Sequence, residues 1–223
     1  NPYFHGQEFH SGVRFTLAPE AGDYRYRTRS ALLCDMLRSK TVVHVGFVDH
    51  DVQSIDAKRK KGKWLHEQLL RVTTRCVGVD INADAIRYVR DTLNVPDVHC
   101  ADVTSPAIAS VLAGTEWDVI FLGEVIEHVP NPLQFLTAML TNFDALGIRY
   151  RSVVLSTPNG LHNERLQHMR LTERINSDHR YLFTPYTLSK IMTEAGLEVT
   201  SLRFCRNGII KRRSVIKNIY FSL

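Results

Sequence analysis

The chain has 223 residues and a 44% apolar composition, enough for one α/β domain with a sizeable core. It contains no run of about eighteen apolar residues, which excludes a membrane-spanning helix of the usual length, and its start, NPYFHGQEFHSG, lacks the basic-then-apolar pattern of a secretory signal, so a cytoplasmic protein is expected. The net charge of +5 and pI near 9.1 reside largely in two short runs, AKRKKGK and IKRRS, which read first as solvated loops and second as the footprint of a polyanionic acceptor such as RNA.

The chain opens with an expected amphipathic helix over about 24–39, where Ala31, Leu32, Met36 and Leu37 recur at helical steps. TVVHVG follows as a short buried strand, and DVQSIDAKRKKGK reads as a charged loop opening into a helix at WLHEQLLRV. CVGVD is the second strand, ADAIRYVRDTL a helix, VHCAD the third strand and SPAIASVLAG a helix ended by Gly114. WDVIFLG is the fourth strand. Asn131 then caps a helix that begins at Pro132 and runs to about Gly147, and RSVVLSTPN is the fifth strand.

LHNERLQHMRLTERINSDHR is too long and polar for a simple connection, and we assign about 160–184 to an acceptor-side lid. TPYTLSKIMTEAG is a capped helix. LEVTSLRFC and SVIKNIYFSL, joined through an Asn-Gly turn, read as an antiparallel pair at a sheet edge. Strict alternation of strands and helices predicts a doubly wound, mainly parallel α/β sheet.

Ligands of such sheets bind beyond the carboxyl ends of the strands, so polar residues there carry functional information. Gly46 permits a tight turn after the first strand. Asp80 is suited to accept hydrogen bonds from ribose hydroxyls, or to cap the next helix. Asp102 is suited to an adenine amino group, with Ile81 and Val103 covering the ring, or again to a cap. The four cysteines, Cys34, Cys76, Cys100 and Cys205, form no CxxC pair and read as reduced, mostly buried thiols.

The segment GEVIEHVPNP after the fourth strand resembles the corresponding motif of class I S-adenosylmethionine methyltransferases, and GVDIN, CADV and VVLSTPN are similar to that family's ribose, adenine and fifth-strand motifs. HRYLFTPYTLSKIMTEAGLEV looks like the downstream segment of its ubiquinone-methyltransferase-like branch, and the likeness spans roughly Thr41 to Leu202. The resemblance implies a Rossmann-like sheet of seven strands with an antiparallel last strand. It also implies S-adenosylmethionine as cofactor, with Gly46 near its methionine part, Asp80 at the ribose, Asp102 at the adenine and Gly123 beneath the sulfonium, and Phe47, Ile81, Val103 and Glu124 as further cofactor-binding residues. The chain departs from the family's GxGxG loop by carrying Val48 and His50 at the later glycine positions and His44 in place of an acidic residue, and Asp80 stands 34 residues beyond Gly46.

His128 is the candidate general base, with Glu127 beside it, because imidazole titrates near neutral pH and lies about one helical turn beyond Glu124. Glu124, Glu127 and His128 also match an ExxEH pattern of ubiquinone-pathway O-methyltransferases and of small-RNA 3′-end methyltransferases. That likeness implies a divalent metal, magnesium if acceptor oxygens and water complete its shell, with His179 as a further ligand. Tyr3, Phe4, Tyr181, Phe183 and Tyr186 are candidate acceptor-pocket aromatics.

The expected reaction is methylation of an oxygen or nitrogen on a small-molecule, lipid-linked or sugar acceptor. RNA 2′-O-methylation is the alternative enzyme reading, and a non-catalytic, partner-binding methyltransferase fold is the alternative of a different class. A nicotinamide dehydrogenase is disfavoured, since HVGFVDH lacks the GxGxxG that lets a pyrophosphate approach a helix amino terminus.

Overall fold

The computed structural model describes residues 2–13, 28–161, 176–206 and 219–222. These fall into two compact units, one comprising Ser30–Val125 and Ala138–Leu155, the other Asn1–Arg29, Ile126–Thr137 and Ser156–Leu223.

The first unit is built on a mostly parallel sheet of β1 (Thr41–Val45), β2 (Arg75–Asp80), β3 (Val98–Cys100), β4 (Glu116–Gly123) and the part of β5 (Arg149–Pro158) up to Leu155, in the spatial order β3-β2-β1-β4-β5. β1 pairs in parallel with β2 and with β4, Val43 lying opposite Val77 on one side and Ile120 on the other. The order reverses between β1 and β4, which makes the gap beyond Val45 and Gly123 the topological switch point where such sheets bind ligands. Nearly continuous β-branched and apolar residues in β1, β2 and β4 are buried on both faces, as a parallel sheet requires.

Helices α1 (Arg29–Met36), α2 (Val52–Lys60), α3 (Leu65–Leu70), α4 (Ala83–Asp91), α5 (Ala109–Leu112), α6 (Pro132–Ala145) and α7 (Pro185–Glu194) connect the strands, with a 3-10 turn at Pro106–Ile108. No helix among the described residues is long and apolar enough to cross a membrane.

One segment differs from its sequence reading. DVQSIDAKRKKGK is not a loop: Asp51 accepts a hydrogen bond from the Ser54 amide (2.7 Å) and caps α2, whose Ile55 is fully buried. Its basic run sits in the last helical turn, where Lys58, Arg59 and Lys60 oppose the negative end of the helix dipole. Alternation of charge hid the helix, because a single apolar anchor gives little periodicity. The additional helix also accounts for the long interval between Gly46 and Asp80.

In the second unit, Thr184 and Thr187 form a capping box at the start of α7, and Gly196 (φ +95°) ends it. β6 (Arg203–Arg206) is shorter than the expected LEVTSLRFC strand. β7 (Ile219–Ser222) pairs antiparallel with β6 and with the Ser156–Pro158 end of β5. The α1 expectation is trimmed to eight residues, its part before Thr28 lying outside the described residues, as do most of the lid and most of the turn joining the last two strands.

Candidate active site

At the switch point, Gly46 adopts φ +71°, and a Cβ built there would stand 2.2 Å from Val125 Cγ2. Both conformation and space therefore demand glycine. Gly123 is buried, and a Cβ on it would meet His44 Nε2 and the Phe121 ring at 3.0 Å. Glu124 follows with φ +60°, a left-handed conformation uncommon for a non-glycine residue and concentrated at functional sites.

Phe47 turns inward: its ring occupies the space that a side chain at Gly78 would take, and its carbonyl accepts a hydrogen bond from Trp64 Nε1 (3.3 Å). The predicted cofactor residue Phe47 thus has its side chain in the core, 3% exposed. Val48, at the second glycine position of the family loop, donates its amide to Asp80 Oδ2 (3.2 Å). The loop after β1 is tied to the end of β2 by that bond.

Asp80 also accepts from the Asn82 amide at Oδ1 (3.0 Å), so each of its oxygens holds a backbone N–H. Burial pushes its carboxyl above the usual carboxylate range, opposed by the hydrogen bonds from Asn82, Val48 and Ile81. Asp80 is not the helix cap: Asn82 caps α4 through the Ala85 amide. Ile81 is 76% exposed, an apolar side chain left uncovered beside a carboxylate.

Asp102 is exposed and binds the amide and hydroxyl of Thr104 through Oδ1 (2.8 and 2.7 Å), while Ser105 caps the next turn. Val103 is buried, and its carbonyl accepts from Asn142 Nδ2 (3.1 Å). The donor set at these strand ends fits an adenosine: two carboxylates for hydroxyl and amino groups, an exposed aliphatic for a ring face, and glycines with no room for Cβ.

The segment after Val125 carries a second constellation. Glu127 is fully buried and accepts a hydrogen bond from Thr157 Oγ1 (2.9 Å). His128 Nδ1 lies 2.7 Å from Asp178 Oδ2, and its ring meets His179 edge-on at 4.7 Å between centroids. A neutral imidazole that donates Nδ1–H to a carboxylate carries its lone pair on Nε2.

Arg180 fixes this geometry from the backbone side. Its amide donates to the Glu127 carbonyl (2.8 Å) and its guanidinium to the His128 carbonyl, while the Tyr181 hydroxyl donates to the Pro130 carbonyl (2.8 Å). The stretch from Asp178 to Tyr181 is therefore laced onto the stretch from Glu127 to Pro130. Of the aromatic candidates, Phe183 is buried and stacks with Tyr181, Phe4 packs against Tyr186, Tyr3, Phe4 and Tyr186 are half-buried, and Tyr181 is exposed.

Glu127, His128 and His179 bring one ligand atom each within 4.8 Å of one another, a group that omits Glu124. One carboxylate and two imidazoles suit manganese, iron or zinc better than magnesium, which prefers oxygen, so the magnesium expectation gains no support from this donor set. Sequence reasoning missed Asp178, Arg180 and Thr157. The adjacent polar run SDHR was the available signal, but its partners lie about fifty residues away in the chain.

Residues 60–202 match the family model described as a methyltransferase domain. The chain belongs to the methyltransferase domain family. Solved structures of the same fold include a small RNA methyltransferase, HEN1, at 19% identity and TM-score 0.58, covering 87% of this chain but only 24% of that one. This chain thus spans about a quarter of that protein's length. A SAM-dependent methyltransferase from Archaeoglobus fulgidus matches at 16% identity and TM-score 0.51, covering 86% and 91% of the two chains. One from Clostridium acetobutylicum ATCC 824 matches at 9% and 0.51, covering 86% and 89%. No curated protein matches the chain.

Proposed function

We propose that this methyltransferase uses S-adenosylmethionine to methylate a hydroxyl oxygen, with His128 taking the proton and Asp178 holding the imidazole in the required tautomer. The observation that carries the reading is the 2.7 Å contact between His128 Nδ1 and Asp178, held in place by Arg180. The glycines and carboxylates at the strand ends support S-adenosylmethionine, and so does the likeness in fold to the SAM-dependent methyltransferases of Archaeoglobus and Clostridium. We read both compact units as one domain, and β6 and β7 as the sixth and seventh strands of a sheet with a reversed last strand.

S-adenosylmethionine, when bound, supplies an electrophilic methyl group on a sulfonium. Asp80 accepts from the ribose hydroxyls, Ile81 and Asp102 define the adenine side, and Gly46 and Gly123 leave the switch point open at backbone level. His128 Nε2 removes the acceptor hydroxyl proton as the oxygen attacks. Asp178 stabilises the imidazolium that forms, and Glu127, anchored by Thr157, fixes the backbone that carries His128.

A small molecule or sugar is our first acceptor. The proximity of Glu127, His128 and His179 favours a second reading, in which the three hold a divalent cation that orients the hydroxyls of an RNA terminus. Transfer of labelled methyl from S-adenosylmethionine, assayed against hydroxylated metabolites and against short RNAs with free 3′ ends, with and without chelator, tests both. Chelator-resistant transfer to small hydroxyl compounds is expected. Chelator-sensitive transfer to RNA with steep salt dependence supports the second reading, and no transfer to any hydroxyl acceptor contradicts both.

A further inference from the structure

The proposed chemistry leaves one polar cluster unused. β1 and β2 are aligned so that Val42 lies opposite Cys76 and His44 opposite Gly78, and the two-residue period of a strand puts His44 and Cys76 on the same sheet face. α3 brings His66 to that face. All three side chains are buried, with His66 at 0%, His44 at 2% and Cys76 at 3% exposure.

Their ligand atoms lie within 4.8 Å of one another. His66 Nδ1 stands 3.2 Å from His44 Nδ1 and 3.8 Å from Cys76 Sγ. Nitrogen and sulfur atoms that share one metal at bond lengths of about 2.0–2.3 Å are separated by roughly 3.3–3.8 Å, so the trio is close to ligating geometry without rearrangement. Hydrogen bonding alone does not account for the cluster, because His66 Nε2 makes no hydrogen bond among the described residues, a cost in a dry core.

From these distances, the burial and the two-nitrogen, one-sulfur donor set, we infer that His44, His66 and Cys76 form a binding site for a single monovalent copper ion. Charge selects the metal. One thiolate with two neutral imidazoles cancels a single positive charge, whereas zinc would leave a net positive charge among Phe47, Trp64 and Phe121. Three ligands also satisfy soft monovalent copper, while zinc requires a fourth. On binding, the Cys76 S–H bond breaks, its proton leaves to solvent, and a sulfur–copper bond forms with no change in oxidation state. Cys76 is also among the residues lining a groove of about 280 Å³, with Leu70, Thr73, Val95 and Pro96.

The test is anaerobic titration of the full chain with Cu(I) against a chromophoric Cu(I) chelator, carried out in a Cys34→Ser, Cys100→Ser background to remove the two more accessible thiols. One copper per chain is expected, with affinity falling at least a hundredfold in Cys76→Ala, beyond the roughly 10–100-fold of an outer-shell change. X-ray absorption of the copper-loaded background protein should report one sulfur and two imidazole nitrogens. It decides the matter even where Cys76→Ala fails to fold. No retained copper, copper retained equally by a folded Cys76→Ala, or a sulfur-only shell overturns the assignment.

Discussion

Two histidine clusters in this chain share ligand types and differ in surroundings. His44, His66 and Cys76 are buried in the core, where burial pushes the His66 imidazole down to about 3 against the opposing charge of Asp97, and pushes the Cys76 thiol up to about 12 with Asp97 adding to the shift. Glu127, His128 and His179 are bound instead to polar partners, among them Thr157 and the exposed Asp178. Burial holds the first cluster neutral, so it suits a soft cation. The second keeps a carboxylate against an imidazole and suits proton transfer. Environment, more than residue type, assigns the chemistry.

The largest expected effect on turnover comes from the open cluster. His128→Ala should lower kcat by about a hundredfold or more while leaving cofactor affinity unchanged, and retained turnover in steady-state assays would remove the base. Asp178→Asn keeps a hydrogen-bond partner but loses the charge and the fixed tautomer. A drop of roughly tenfold in kcat at constant KM is expected, comparable to losing an orienting partner elsewhere.

The buried cluster should respond in stability. His66 has a folded pKa below its unfolded value, so the metal-free fold is most stable above about 6.5 and loses stability as pH falls from there towards 3, because the unfolded chain takes up the proton first. Denaturant unfolding of metal-free protein should follow a slope of about 1.4 kcal/mol per pH unit from this one group, and His66→Leu should flatten it. An unchanged slope would mean that the imidazole is already protonated in the fold.

A smaller effect is expected at the switch point. Gly46→Ala should cost about 1–3 kcal/mol, since Val125 must move and φ +71° disfavours a side chain, and Val125→Ala in the same chain should recover part of the loss in Tm.

Much of this was legible in the sequence, for reasons that differ by element. β1, β2 and β4 announce themselves because both faces are buried and their apolar runs are continuous. Asp80 and Asp102 stand out because strand ends are where a doubly wound sheet presents ligands. α2 was hidden by its charge. Asp178 and Arg180 reach Glu127 and His128 across about fifty residues, and His66 reaches His44 and Cys76 through strand register. Local pattern carries no information about either. Phe47 follows Gly46 at a strand end, yet its ring faces the core, which its position in the sequence did not announce.

Methyl transfer by this chain requires the carboxyl ends of β1, β2 and β4 to bind an adenosine sulfonium. Calorimetric titration of the chain with S-adenosylhomocysteine, repeated on Asp80→Ala, tests that directly. Saturable one-to-one binding, weakened at least about tenfold by the substitution, is the expected result. Heat indistinguishable from dilution at millimolar ligand, or equal affinity in the two proteins, would contradict it.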